Sequence, residues 1–337
     1  MTGPRVCVVG AGSWGTTVAS IIAENADVTL WARDAALAAR LDATHENERY
    51  LPGIRVPERV KATNDLAAAC RGADAVVIGV PSHGFRGVLD IAAGAIAPDT
   101  PVVSLSKGVE QGTYLRMTQV VADVLPAHRV DRIGVLTGPN LAREVAEGQP
   151  TASVVAIPDD EAAKGLQQLF MTRTFRVYTN PDVVGCEIAG ALKNVVAIGA
   201  GIAAGLGYGD NTKAALITRG LAELARLGIA LGGDPLTFSG LAGMGDLVAT
   251  CTSDKSRNRH VGVELARGRQ LPDILAGMKM VAEGIPTTAA AVLLGRRHGV
   301  ELPIIEQVDR ILRGEVQPRD AVTALLRRPL KGEDAWG

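Results

Sequence analysis

Along the first half of the chain, apolar residues gather in short unbroken runs. Between them lie stretches where apolar side chains recur every three to four positions. The runs are residues 5–10 (RVCVVG), 28–31 (VTLW), 75–80 (AVVIGV), 101–106 (PVVSLS) and 132–137 (RIGVLT). A run that is apolar throughout, without alternation, predicts a strand buried on both faces, as in a parallel sheet covered by helices. Residues 13–24 and 34–41 carry helical spacing between the first runs. Strand–helix alternation from the start of the chain predicts a doubly wound α/β domain of the Rossmann type. Residues 153–157 and 175–178 predict two further strands that extend the sheet.

After Asn180 and Pro181 the pattern changes. Residues 183–204, 212–231 and 285–299 repeat apolar positions at helical intervals, and strand-like runs disappear. The reading is an α/β dinucleotide-binding domain over 1–182, an all-helical substrate and catalytic domain over 183–330, and a loose polar tail over 331–337. Two domains also suit 337 residues, more than one core usually serves. Aromatics are 3% of a chain that is 47% hydrophobic, so both cores must be packed mainly with Ala, Val, Leu and Ile.

A formal charge of -1 gives no reason to expect a nucleic acid or an anionic membrane as partner, though it leaves room for a local cationic pocket. The apolar stretch 195–207 spans about 13 residues, short of the roughly 18 that a membrane span needs, so no membrane insertion is expected. Gly10, Gly12 and Gly15 break up what would otherwise resemble a signal core after Arg5. Cys7, Cys70, Cys186 and Cys251 are widely spaced, without a C-x-x-C or a Cys/His cluster. They predict reduced thiols in a cytoplasmic protein, and no metal site is expected.

Gly10, Gly12 and Gly15, with Ser13 and Trp14 among them, follow the first strand and open the first helix. In such a fingerprint the first glycine allows the tight turn, and the second lets the backbone approach a pyrophosphate. The third packs helix on strand, and the helix N-terminus faces the anion. The second strand ends in Trp31-Ala32-Arg33-Asp34. Arg33 there favours the 2′-phosphate of NADP(H) or dual use of both cofactors, whereas Asp34 is placed to bind a ribose hydroxyl. Both readings stay open at this point, as does Arg33 as a solvated loop cation.

Three later segments set polar residues in apolar surroundings. Lys107 lies at the C-terminal end of a strand, the edge where open α/β sheets bind ligands. Lys193 interrupts a very apolar helix, where lysine is almost never buried without a partner; a snorkelling lysine is the bland reading. Residues 240–246 (GLAGMGD) precede Ser256-Arg257-Asn258-Arg259, a carboxylate followed by a basic, amide-bearing patch. For Arg257 and Arg259 the bland reading is an exposed helix start.

These residues also carry a resemblance. The chain resembles the NAD(P)-dependent glycerol-3-phosphate dehydrogenases of bacteria over nearly its whole length. The matching stretches are 10–19 (GAGSWGTTVA), 45–54 (HENERYLPGI), 104–110 (SLSKGVE), 138–146 (GPNLAREVA), 187–202 (EIAGALKNVVAIGAGI), 240–259 (GLAGMGDLVATCTSDKSRNR) and 281–288 (VAEGIPTT). The resemblance implies a Rossmann-type domain followed by an all-α domain of the 6-phosphogluconate dehydrogenase C-terminal type. It implies reversible reduction of dihydroxyacetone phosphate to sn-glycerol 3-phosphate with NAD(P)H, in a homodimer, supplying phospholipid synthesis.

By the same resemblance, Lys193 matches the catalytic general acid/base. Lys107 matches a neighbouring cation and substrate contact, Asp246 and Thr250 match the groups that orient the lysine, and Asn194 adjoins them. A desolvated lysine beside another cation gives up its proton more readily, which suits that role. Ser256, Arg257 and Asn258 match the residues that hold the substrate phosphate, with Gly138 and Asn140 in the substrate loop. Gly10, Gly12, Ser13, Trp14, Gly15, Arg33, Lys107, Ala142, Arg257, Val281 and Glu283 match cofactor contacts. Asn140 stands where many relatives carry Ser, and Asp34 where a basic or neutral residue is common. Two other readings remain: a hydroxy-acid dehydrogenase of the 6-phosphogluconate or 3-hydroxyisobutyrate type, and a non-catalytic NAD(P)-sensing module.

Overall fold

In the computed structural model, which describes residues 3–278, 280–329 and 332, the apolar runs of the first half become strands of one sheet. The chain divides into two units, Met1–Val183 and Val184–Gly337. The first runs β1 (Arg5–Val9), α1 (Ser13–Ile22), β2 (Asp27–Trp31), α2 (Ala35–Thr44), β3 (Val60–Thr63) and α3 (Leu66–Cys70). It continues through β4 (Ala75–Ile78), α4 (Ser82–Ala92), β5 (Val102–Ser104), α5 (Met117–Val124) and β6 (Ile133–Thr137). Then come α6 (Ala142–Ala146), β7 (Thr151–Ala156), α7 (Asp160–Phe170) and β8 (Phe175–Asn180).

The strand order is β3-β2-β1-β4-β5-β6-β7-β8. Every pairing is parallel except β6 with β7. Successive residues of the central strands feed two separate cores. Val6, Val8, Ala75, Val77 and Val103 face one, while Cys7, Val9, Val76, Ile78 and Val102 face the other. Two covered faces leave little room for polar residues, which is why these strands read as mostly apolar runs. β3 escaped the sequence reading: its four residues, VKAT, are only partly buried, and an edge strand needs no apolar run. All four cysteines are buried and free, with the Cys7 and Cys70 sulfurs 3.6 Å apart.

The second unit contains no strand among its described residues. Its helices are α8 (Val183–Gly205), α9 (Asp210–Ala230), α10 (Pro235–Ser239), α11 (Asp246–Thr252), α12 (Arg257–Ala266), α13 (Leu271–Ala276), α14 (Gly284–His298), α15 (Pro303–Leu312) and α16 (Pro318–Leu326). Residues 195–205 of the apolar stretch 195–207 belong to α8, which is 23 residues long. Glu187, Lys193 and Asn194 interrupt its hydropathy but not the helix. By length and composition α8 could cross a membrane, yet 89% of its most apolar window is buried among the protein's own residues, the place of a core helix. Apart from Gly332, the tail 331–337 lies outside the described residues.

With few aromatics available, helices approach backbone to backbone. A Cβ added at Gly201 of α8 would lie 2.0 Å from the Arg259 carbonyl oxygen, and one at Gly262 of α12 would lie 2.0 Å from that of Ile198. Only glycine fits a crossing this close.

Helix α15 starts at Pro303 without a side-chain cap of its own. Glu223 of α9 supplies one, its carboxylate accepting from the Ile304 N–H at 2.7 Å and the Ile305 N–H at 3.1 Å. Burial is the largest influence on this group and pushes its pKa up to about 7, against the two amides and Arg226, which favour the anion. An acid raised in this way stabilises the fold fully below its unfolded value and loses that contribution as pH rises through its folded value. The stability of the protein should therefore fall relative to Glu223→Gln between about pH 4.5 and 7, by on the order of 3 kcal/mol. Denaturant titrations at several pH values measure the difference, and parallel curves would show that Glu223 keeps one charge state throughout.

Candidate active site

Each glycine of the first loop has its own physical reason. Gly10 follows β1 with φ at 112°, a left-handed conformation, and a Cβ there would meet the Gly79 carbonyl oxygen at 2.7 Å. A Cβ at Gly15 would lie 1.9 Å from the Gly10 carbonyl oxygen, so the helix rests directly on the turn. Gly12 differs. Its φ is −72°, and a Cβ there would meet no atom within 4 Å, so neither strain nor packing demands a glycine. What it leaves is an open approach to the N-terminus of α1, which has no side-chain cap. Free helix N–H groups behind an unobstructed glycine fit the pyrophosphate of a dinucleotide.

The segment 45–54 holds this loop in place. The buried Asn47 amide donates to the Ala11 carbonyl at 2.9 Å and to Thr16 Oγ1 at 2.8 Å, and Ser13 Oγ donates to the Tyr50 carbonyl at 2.7 Å. Sequence reasoning gave Asn47 no role, although it lies in a stretch that carried the resemblance. Trp14 packs against Phe175 with ring centroids 6.3 Å apart, and its buried indole N–H has no partner.

At the end of β2 the two open readings separate. Asp34 caps α2, with Oδ1 accepting from the N–H groups of Ala36 at 2.9 Å and Leu37 at 3.2 Å. Its other oxygen faces Arg49 at 3.4 Å. The Asp34 carboxylate thus starts α2. Arg33 is exposed and makes no ion pair among the described residues.

Beyond β5, Lys107 is held from two sides, donating to the Gly138 carbonyl at 2.9 Å and to Asn140 Oδ1 at 2.7 Å. Gly138 ends β6 with φ at 131°, and a Cβ there would lie 3.1 Å from Ser153 Cα. The Asn140 amide nitrogen is buried without a partner, a donor available to an oxygen-bearing ligand. Ala142 opens α6, and its carbonyl accepts from Thr17 of α1 at 3.2 Å.

In the helical unit, Lys193 is no snorkelling lysine: it is 5% exposed. Its ammonium donates to Asp246 Oδ1 at 2.5 Å and to Thr250 Oγ1 at 2.6 Å, and Thr250 in turn donates to Asp246 at 3.3 Å. Asp246 and Thr250 sit one turn apart on α11, so both meet the lysine on one face. Burial pushes the neighbouring Cys251 thiol up to about 12, which keeps it protonated and inert.

The start of α12 completes the second unit's set. Ser256 is the N-cap, accepting from the Arg259 N–H at 3.2 Å, and Arg257 donates to the Val281 carbonyl at 2.6 Å. The Asn258 amide donates to Asn194 Oδ1 at 2.9 Å, and its own oxygen accepts from the Gly284 N–H at 3.0 Å. Glu283 is the N-cap residue of α14. Lys193 and Asn194 on α8 are therefore tied to α11, α12 and the start of α14 by side-chain bonds. Arg259 keeps the bland role, pairing with Asp254 at 2.5 Å.

Because nothing in the fold needs a glycine at position 12, Gly12→Ala separates ligand from packing. It should keep stability within about 1 kcal/mol, the range of an N-cap change. The NADPH dissociation constant, measured by fluorescence titration, should rise at least about tenfold. Unchanged affinity would remove the pyrophosphate from this loop.

Comparison with known proteins agrees across both units. The family model for the N-terminus of NAD-dependent glycerol-3-phosphate dehydrogenase matches residues 5–163, and that for its C-terminus matches 182–323. An NAD(P)+ glycerol-3-phosphate dehydrogenase of Sphingopyxis alaskensis is 51% identical over 98% of this chain and 98% of its own. One of Geobacter sulfurreducens is 52% identical over the same shares. The crystal structure of glycerol-3-phosphate dehydrogenase from Coxiella burnetii matches with a TM-score of 0.91 at 38% identity, covering 97% of this chain and 99% of that one. A ketopantoate reductase from Ralstonia eutropha, at 18% identity and a TM-score of 0.58, shares the fold alone. With both halves matched, the chain belongs to the NAD-dependent glycerol-3-phosphate dehydrogenase family.

Proposed function

We propose that this protein reversibly reduces dihydroxyacetone phosphate to sn-glycerol 3-phosphate with NAD(P)H, with Lys193 as the proton donor. The observation that carries this reading is the buried Lys193–Asp246–Thr250 cluster. An ammonium has three N–H donors, and the two acceptors engage two of them. The third remains for a substrate oxygen. Asp246 supplies the counter-charge that a buried ammonium requires and fixes the direction of that third proton. Bound nicotinamide supplies the hydride for the carbonyl carbon.

As the carbonyl oxygen gains negative charge, it takes the proton from Lys193 Nζ. The lysine is left as a neutral amine that regains its proton before the next turnover. Oxidation runs through the same groups in reverse. The Ser256 hydroxyl proton, the unused Arg257 N–H groups and the second Asn258 N–H are donors suited to a phosphate dianion. Within the first unit, the Asn140 amide nitrogen, buried without a partner, is a donor suited to a ligand oxygen. A non-catalytic sensing module would need none of the Lys193 cluster, and family membership favours the phosphorylated triose over the hydroxy acids of the competing reading.

Asp34 is spent on a helix cap and Arg33 lies free in solvent, which supports a preference for NADPH over NADH. Four free thiols suit a reducing cytoplasm. The exposed Leu236, Met244 and Val248 of the helical unit suit a homodimer. Glycerol 3-phosphate so formed would enter phospholipid synthesis.

Turnover followed at 340 nm with dihydroxyacetone phosphate tests the reaction. Lys193→Ala should reduce kcat by roughly 10²–10⁴-fold while NADPH binding changes little. Retention of turnover would remove Lys193 from the chemistry. Arg33→Ala should lower the NADPH-to-NADH ratio of kcat/KM by about tenfold, the value of one charge-assisted contact. An unchanged ratio would leave Arg33 an ordinary surface cation.

A further inference from the structure

Asp246 is the first residue of α11, and the chain reaches it through an unusual turn. Residues Leu241–Gly245 form a single π-helical turn, closed by the Gly245 N–H on the Gly240 carbonyl at 3.1 Å. Such turns insert an extra residue and are found disproportionately at functional sites. The turn is pressed against main chain. A Cβ at Gly243 would lie 2.2 Å from the Phe238 carbonyl oxygen and 2.5 Å from both its carbonyl carbon and Cα. Phe238 is itself fully packed, 2% exposed, and its ring stands end-on upon α9. A Cβ at Gly228 would lie 2.1 Å from the ring's Cζ and 2.7 Å from Cε1. One residue past the π turn, Asp246 grips Lys193 at 2.5 Å.

We propose that Phe238 and Gly243 are positioning residues for the proton donor. The Phe238 ring, seated on Gly228, sets the height of the π turn, and the turn sets where the Asp246 carboxylate meets Lys193. The proposal rests on the reading of Lys193 as the acid. Its physical basis is that every link from α9 to Asp246 is a contact of backbone or rigid ring, with no flexible side chain to absorb a shift. A close-packed interior passes such a shift on. Misplacing a catalytic group by about 1 Å can cost about 100-fold in rate.

The test is Gly228→Ala, which drives a methyl into the ring tip. In the purified enzyme, kcat with dihydroxyacetone phosphate and NADPH should fall by roughly 10–100-fold, while KM and the NADPH dissociation constant stay within about threefold. Adding Phe238→Leu, which lacks the ring tip, should restore at least about tenfold of that loss, a coupling expected only of residues in contact. Wild-type kcat in Gly228→Ala, or no recovery in the double variant, overturns the proposal. Should Gly228→Ala not fold, Phe238→Leu alone serves. It should lower kcat and move the alkaline limb of its pH profile, and an unaltered kcat and profile overturn the proposal. Lys193→Ala assayed alongside separates the two ideas. If it is inactive while Gly228→Ala is normal, only the positioning role falls; if it is active, the underlying assignment falls.

Discussion

A lysine ammonium inside an apolar helix is tolerated only when a carboxylate meets it at hydrogen-bond distance, and the helical unit is arranged around that requirement. Lys193 and Asp246 are 5% and 2% exposed, and they lie 53 positions apart in the chain. Leaving either charge buried alone would cost about 3–5 kcal/mol. The pair therefore constrains how α8 and α11 pack, and Thr250 adds the neutral acceptor that completes the lysine's protein contacts. From there the constraint passes to Asn194, the next residue of α8, and through Asn258 to the start of α14.

The α/β unit solves a related problem by different means. Lys107 donates to the Gly138 backbone carbonyl and to the neutral Asn140 amide. Each lysine is oriented by acceptors around its ammonium, and for Lys193 one of them is the Asp246 carboxylate.

Much of this was legible in the sequence because burial leaves a strong trace. Strands covered on both faces read as unbroken apolar runs, and a lysine within an apolar helix stood out for the same reason. What stayed hidden was mostly polar and long-range. Edge strand β3 has no run to see. Glu223 reads as an ordinary surface charge in a long helix, since its two amide partners lie 81 and 82 residues away. Asp246 stood out as a carboxylate ahead of a basic patch and Thr250 only by the resemblance, and neither carries a local sign of facing a lysine. Asp34 could be a ribose ligand or a helix cap by position, and only the backbone geometry decides. Helical spacing over 183–204 marked nearly the whole of α8, across Lys193 and Asn194, where hydropathy alone picked out only its second half.

The glycine crossing of α8 and α12 has a further consequence. Where Gly201 and Gly262 let the two main chains touch, the spacing between the helices is set by covalent backbone dimensions and not by the size of any side chain. Arg257 and Asn258 begin α12, and Lys193 and Asn194 lie on α8, so the same crossing acts as a ruler between these two groups of polar side chains. That spacing therefore does not depend on the volumes of the side chains packed around it.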